Sequence, residues 1–310
     1  KKSAAKKPAP KKSRKPRGRT SSRATGSDVV AGRWLLGLAM SAVIVVGVVV
    51  MAQPNEARTE DTTEVQDVVP DIPEPLGTTV PEALRVQVVQ RHPHDPRAFT
   101  QGLLWHGGKL YESTGLEGRS SVRRVDLATG AVEARTDVDA TFFAEGLARV
   151  DDTLVQLTWQ NERALVYDLT TLQKTAEHRY EGEGWGLCYD GTHLVMSDGS
   201  DRLRFRDPTT FEVVREVRVT RIGRPLRSLN ELECVDGKVW ANVWQRNELV
   251  RIDPGTGRVE AIVDAGGLLT AAERRSADVL NGIAWLPETR RFLLTGKLWP
   301  ASFEVEFVPR

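Results

Sequence analysis

The sequence predicts an all-β protein: a five-bladed β-propeller with four-stranded blades, preceded by a basic tail, one transmembrane helix and a Pro- and acid-rich linker. Three observations predict it. Residues 83–310 are filled with short alternating apolar and polar runs separated by DG, TG, GG and DP turns. A short motif recurs as QGLLW, EGLAR, WGLCY, NELEC and NGIAW, beginning at Gln101, Glu145, Trp185, Asn230 and Asn281, with spacings of 44, 40, 45 and 51 residues. Four strand-like runs per unit at that period are the mark of a propeller blade. Finally, the two ends of the chain differ sharply in charge and hydropathy.

Residues 1–33 hold twelve Lys or Arg against the single acid Asp28, about +11, while the whole chain is only +1. That composition predicts a disordered basic tail. Residues 34–52, WLLGLAMSAVIVVGVVVMA, carry no charge. At about 1.5 Å per residue they come close to spanning a roughly 30 Å hydrocarbon layer. Basic residues before the run and acids after it place the N-terminus in the cytoplasm and the remainder outside. The run reads as an uncleaved signal anchor, with a signal peptide cleaved after Ala52 as the alternative and a secreted product as its consequence. For the tail, attraction to anionic lipid is the plainer account, and no nucleic-acid partner is expected. Residues 53–82, with five prolines among many acids, read as an extended linker.

The folded part, residues 83–310, is long enough for one substantial core. Each motif is followed by a turn and a second run (LYESTG, LVQLTW, LVMSDG, VWANVW, FLLTGK), then a third, and in most units a fourth such as AVEARTDV, EVVREVRV or RVEAIVD. The fifth unit ends with the sequence before a fourth run. ALRVQVVQ, residues 83–90, has the alternation to supply it and so to close the ring, which protects sheet edges. LLTAAERRS, residues 268–276, is the one stretch with helical spacing. Cys188 and Cys234 are the only cysteines; a disulfide and two buried free thiols are both open.

Glu145 poses the sharpest question, because TFFAEGLARV places one carboxylate in an otherwise apolar run. Alignment of the five units puts it in a ring with Gln101, Trp185, Asn230 and Asn281 around the channel, where amides can hydrogen-bond it. A second ring, at the far ends of the second strands, holds Gly115, Trp159, Gly199, Trp244 and Lys297. Singly, each residue has a bland reading: a tryptophan in a strand packs, a lysine at a strand end is solvated. Their convergence from several blades on one opening describes a ligand site. RHPHDP, residues 91–96, reads as a turn into the first blade. No HExxH, paired CxxC, GxSxG or phosphate-loop pattern is present, and no metal or cofactor is expected.

The motifs AFTQGL, EGL, QLTW, EGWGL, LNELE, ANVWQ, NGIA and TGKLWP, in that order across residues 98–300, resemble the plant and bacterial type of glutaminyl-peptide cyclotransferase. The resemblance covers the folded part and none of residues 1–82. It implies a metal-independent acyltransferase that turns the N-terminal glutamine of a peptide or protein into pyroglutamate and releases ammonia. It also implies an active site at Phe99, Gln101, Phe143, Glu145, Trp159, Trp185, Asn230, Trp244 and Lys297. Ala144 departs from it, standing where Gly is common. The chemistry of such a reaction then assigns Glu145 as general acid/base and Lys297 and Asn230 as donors to the oxyanion, with Gln101, Phe99 and Phe143 binding substrate and Trp159, Trp185 and Trp244 forming the walls. The competing readings are a calcium-dependent propeller hydrolase of the lactonase kind, with Glu145, Asn230 and Asn281 as oxygen ligands, and a non-catalytic extracellular binding propeller.

Overall fold

The structure, a computed structural model, describes residues 79–310. The expected basic tail (1–33), the membrane span (34–52) and all but the last residues of the linker (53–82) lie outside the described residues. Among the described residues no helix is long and apolar enough to cross a membrane.

The alternating runs form antiparallel strands in sequence order. β1 (Glu82–Pro93) precedes a first unit of β2 (Thr100–His106), β3 (Lys109–Thr114), β4 (Ser121–Val125) and β5 (Val132–Asp137). The second unit is β6 (Ala144–Val150), β7 (Thr153–Thr158), β8 (Arg163–Asp168) and β9 (Lys174–Arg179). The third is β10 (Leu187–Tyr189), β11 (Leu194–Ser197), β12 (Arg202–Arg206) and β13 (Val213–Arg218), followed by a small hairpin of β14 (Thr220–Arg221) and β15 (Arg224–Pro225). The fourth is β16 (Leu229–Val235), β17 (Lys238–Val243), β18 (Glu248–Ile252) and β19 (Val259–Asp264). The last is β20 (Leu280–Leu286), β21 (Arg291–Gly296) and β22 (Ala301–Pro309), completed by β1, which pairs antiparallel with β22 from Leu84↔Pro309 to Pro93↔Ala301. The chain is thus all-β, and its four-stranded sheets are consistent with a propeller.

One feature departs from separate blades. β1 also pairs in parallel with β19 over Glu82–Arg85, merging the last two units into one eight-stranded sheet. Two outer edges that would otherwise be unpaired satisfy each other there. The stretch 268–276 forms only a 3₁₀ turn, Glu273–Arg275. Nine residues are too few for helical spacing alone to repay helix nucleation. Arg91–Pro93 belong to β1, so the RHPHDP turn begins only at His94.

The innermost strands touch in the cyclic order β2, β6, β10, β16, β20 and back to β2. Glycine permits that closeness: a Cβ on Gly102 would lie 2.5 Å from the backbone nitrogen of Leu147. In the fourth unit the corresponding residue is Glu231, whose carboxyl accepts backbone N–H bonds from Leu103 (3.2 Å) and Ile283 (2.8 Å). One side chain therefore stitches three inner strands. Glu233, two residues on, accepts from the backbone of Trp285 at 2.8 Å. Burial raises both carboxyls, Glu233 to about 8.

Apolar faces fill the gaps between sheets, as with Leu104, Tyr111 and Val122 against Leu147, Leu154 and Leu165. A repeated turn ends the third strand of four units. Asp126, Asp168, Asp207 and Asp253 each accept the backbone N–H of the threonine three residues on, at 2.7–2.9 Å. The next residue has positive φ and is Gly130, Leu172, Phe211 or Gly257. Leu172 and Phe211 hold that strained conformation because both side chains are fully buried. Cys188 of β10 and Cys234 of β16 form a disulfide between neighbouring inner strands, which resolves the open choice about the thiols.

Candidate active site

At one end of the ring of inner strands lies a cavity of about 450 Å³. Phe99, Gln101, Phe143, Glu145, Trp159, Trp185, Asn230, Trp244 and Lys297 all line it, joined by Gln245, Asp278 and Val279. The chemistry-bearing groups are at the bottom: Gln101 and Asn230 are 2% exposed, Glu145 and Lys297 6%. Trp159 and Trp244, 37% and 40% exposed, stand at the rim.

Backbone pairing sets these positions. In four units the residue two before the inner-ring residue accepts, through its carbonyl, the N–H of the second-ring residue. The pairs are Gly115 to Phe99, Trp159 to Phe143 and Trp244 to Ser228, each at 2.8 Å, and Lys297 to Val279 at 2.9 Å. The third unit breaks the rule. β10 begins only at Leu187, and Trp185 N–H bonds the Ser197 carbonyl instead. The second-ring glycines make room for aromatics. A Cβ on Gly199 would lie 2.7 Å from the Trp185 ring, and one on Gly115 would enter the ring of Phe143. The aromatic walls interlock edge to face, with centroids at 6.0 Å for Phe99–Phe143, 5.8 Å for Phe143–Trp159 and 5.6 Å for Trp185–Trp244.

A hydrogen-bonded chain crosses three inner strands beneath these walls. Asn281 Nδ2 donates to the Thr100 carbonyl (3.0 Å) and to Gln101 Oε1 (3.3 Å). Gln101 Nε2 donates to Glu145 Oε1 at 2.9 Å. Asn281 is thus beneath the cavity and orients Gln101. Burial raises the Glu145 carboxyl well above the usual range; Lys297 opposes this and Glu183 adds to it. Burial also lowers Lys297, against the pull of Glu145 and Asp278. The Lys297 Nζ sits 4.9 Å from the centre of the Phe99 ring. Asn230 Oδ1 is buried with no partner among the described residues. An aromatic box thus encloses a carboxyl and an amine whose proton affinities are drawn toward each other, beside an amide that can turn either its oxygen or its NH₂ inward.

Glu183, Gln245, Asp278 and Val279 escaped the sequence reading. The repeat register held a signal for two of them: Phe99, Phe143, Glu183, Ser228 and Val279 occupy the same place, two before the inner-ring residue. Glu183 stands just outside the cavity lining, and its Oε2 accepts the indole N–H of both Trp159 and Trp185 at 2.9 Å. Gln245 follows Trp244 as Gln160 follows Trp159, and Asp278 stands in the loop just before Val279.

The family model described as glutamine cyclotransferase matches residues 56–307. A glutaminyl-peptide cyclotransferase of Arabidopsis thaliana is 44% identical over 226 residues, 71% of this chain and 71% of that protein. The crystal structure of a Myxococcus xanthus glutaminyl cyclase is similar with a TM-score of 0.68 at 38% identity, covering 74% of this chain and 99% of that one.

Proposed function

Because the chain belongs to the glutamine cyclotransferase family, we propose that its cavity converts the N-terminal glutamine of a peptide or protein into pyroglutamate and releases ammonia. The enzyme is an acyltransferase: the γ-acyl group passes from the amide nitrogen to the α-amine of the same residue. The hydrolase and non-catalytic readings give way to it. We read the five four-stranded units as blades of one propeller, the arrangement that lets several inner strands contribute to one opening.

The observation that carries the mechanism is the buried Glu145 carboxyl held through one oxygen by Gln101. Its other oxygen is left for the substrate. An N-terminal amine has a pKa of about 7.7–8. A carboxyl raised toward that value exchanges a proton with it at little cost. Glu145 takes a proton from the α-amine as the nitrogen attacks the γ-carbonyl carbon. The new C–N bond forms and the carbonyl electron pair moves to oxygen. Lys297 and Asn230 donate to that oxyanion. Glu145 then delivers the proton to the departing nitrogen, the old C–N bond breaks, and ammonia and the lactam result. Trp159, Trp185, Trp244, Phe99 and Phe143 exclude water and fold the side chain toward its own amine.

Ammonia release from a Gln-initiated dipeptide amide, with wild type compared against Glu145→Gln, tests this function. Turnover by wild type and its loss in the variant are expected; equal rates would sink the role of Glu145.

We further place the catalytic unit outside the cytoplasm. The Cys188–Cys234 disulfide and the basic, apolar, acidic order of residues 1–67 support that placement. Fractionation of expressing cells checks it. Recovery of the enzyme in membranes fits an anchor at 34–52, recovery in the medium fits cleavage after Ala52, and a cytosolic enzyme with free thiols refutes both.

A further inference from the structure

Glu183 lies on the loop between β9 and the shortened β10, in EGEGWG, where the backbone pairing of the other four units is missing. Released from that pairing, Trp185 leaves the strand and lies over Gly199. Glu183 takes up the freed space. Its Oε2 accepts from Trp159 Nε1 and from Trp185 Nε1, both at 2.9 Å, and its Oε1 accepts from Gln160 Nε2 at 2.8 Å. The two indoles come from different units, and one carboxylate oxygen ties them together.

Trp159 is 37% exposed, so water is an alternative, weaker partner near this indole. A charged acceptor shared by two indoles instead fixes their relative orientation, because charge-assisted hydrogen bonds are stronger and more directional than bonds to water. Against the upward push of burial, the bonds from Gln160, Trp185 and Trp159 keep Glu183 ionised.

We propose that Glu183 is a positioning residue of the active site: it locks the Trp159 and Trp185 walls into the shape that folds the glutaminyl side chain. The proposal rests on the cyclotransferase reading. Occupied by three donors, Glu183 does not compete for the substrate proton, and its charge adds to the upward push that burial gives Glu145. The other groups facing Glu145 are Lys297 and Tyr180, and Glu183 itself faces Asp198, which is paired with Arg204.

The test uses the full chain and a Gln-initiated dipeptide amide, with Glu183→Gln, Glu183→Asp and Trp159→Phe. Glu183→Gln keeps an acceptor and removes the charge. Its acid limb in kcat/KM is expected to move slightly to lower pH, because a charge that adds to the effect of burial on Glu145 is gone. Glu183→Asp keeps the charge and withdraws it from the indoles; KM is expected to rise at least fivefold with the acid limb in place. Trp159→Phe combined with Glu183→Gln should lose less than the product of the single losses. A Glu183→Gln enzyme with KM and acid limb indistinguishable from wild type overturns the proposal. Near-ultraviolet circular dichroism of the indoles separates this from failure of the activity itself. If wild type released no ammonia, the cyclotransferase reading would fall. The positioning role would then stand on a changed indole spectrum in Glu183→Asp, and fall on an unchanged one.

Discussion

Gln101 donates a hydrogen bond to Glu145 at 2.9 Å, and the Gln101 carbonyl oxygen is itself held by Asn281 at 3.3 Å. The second contact decides the direction of the first. Asn281 Nδ2 can only donate, so Gln101 must turn its oxygen to Asn281 and its NH₂ to Glu145. One oxygen of the carboxyl is thereby fixed, and the other is aimed at whatever occupies the cavity.

Glu145→Gln preserves shape and removes proton transfer. Turnover is expected to fall by about 10²–10⁴-fold. The unfolding midpoint should stay or rise, since a buried ionisable group is replaced by a neutral one. Steady-state ammonia release and a denaturant titration check both halves.

The pH profile should be narrow. Glu145 is raised and Lys297 is lowered, both chiefly by burial. As pH rises, Glu145 ionises late and activity climbs late. As pH rises further, Lys297 loses its proton earlier than an exposed lysine and activity declines. An acid limb of kcat/KM near 4.5, where an exposed glutamate titrates, would contradict the assignment of Glu145 as the base.

Lys297→Met removes the buried ammonium and keeps an unbranched chain against Phe99. Loss of one such donor is expected to cost on the order of 10²–10³ in kcat. The change should appear in kcat more than in KM, because the oxyanion exists only after the amine has attacked. A loss confined to KM would reassign Lys297 to substrate binding.

Glu233 makes stability depend on pH. Its carboxyl is raised from 4.5 to about 8, so the fold prefers the protonated form. That contribution is complete below about pH 4.5 and is lost as pH rises through 8, at up to about 1.4 kcal/mol per unit. Glu231 acts in the same direction. Glu233→Gln is expected to flatten the decline between pH 5 and 8 in a series of urea titrations; an unchanged slope would show that Glu233 does not titrate in this range.

The Cys188–Cys234 bridge closes a loop of 46 residues, and chain-entropy reasoning assigns it about 4 kcal/mol. Replacing both cysteines with serine should lower the denaturant midpoint accordingly and leave activity at low temperature nearly intact. A midpoint within experimental scatter of wild type would mean that the inner strands need no such tie.

Much of the fold was legible because the repeat is local. Each unit carries its own alternation and its own inner-strand motif, and four of the five an Asp–Thr turn, so residues from Gln101 to Asn281 could be set in register without knowing where any of them lay. The same register held an unread signal, since Glu183 and Val279 share a position with Phe99 and Phe143. The 3₁₀ turn at Glu273–Arg275 was less legible, because a helix of nine residues is marginal on its own and its spacing does not decide whether it forms.

By itself the sequence determined the all-β repeat, the strand that completes the last unit, and seven of the residues that line the cavity, because periodicity and turn chemistry act between near neighbours in the chain; Phe99 and Phe143 were legible only through the family motifs. Only the tertiary structure decided that Glu183 binds two indoles, that Glu231 reaches the backbone of Leu103 and Ile283, that β1 joins β19, and that Cys188 meets Cys234. Those contacts join different units, and their distances depend on how the sheets pack against one another, which no local pattern of residues records.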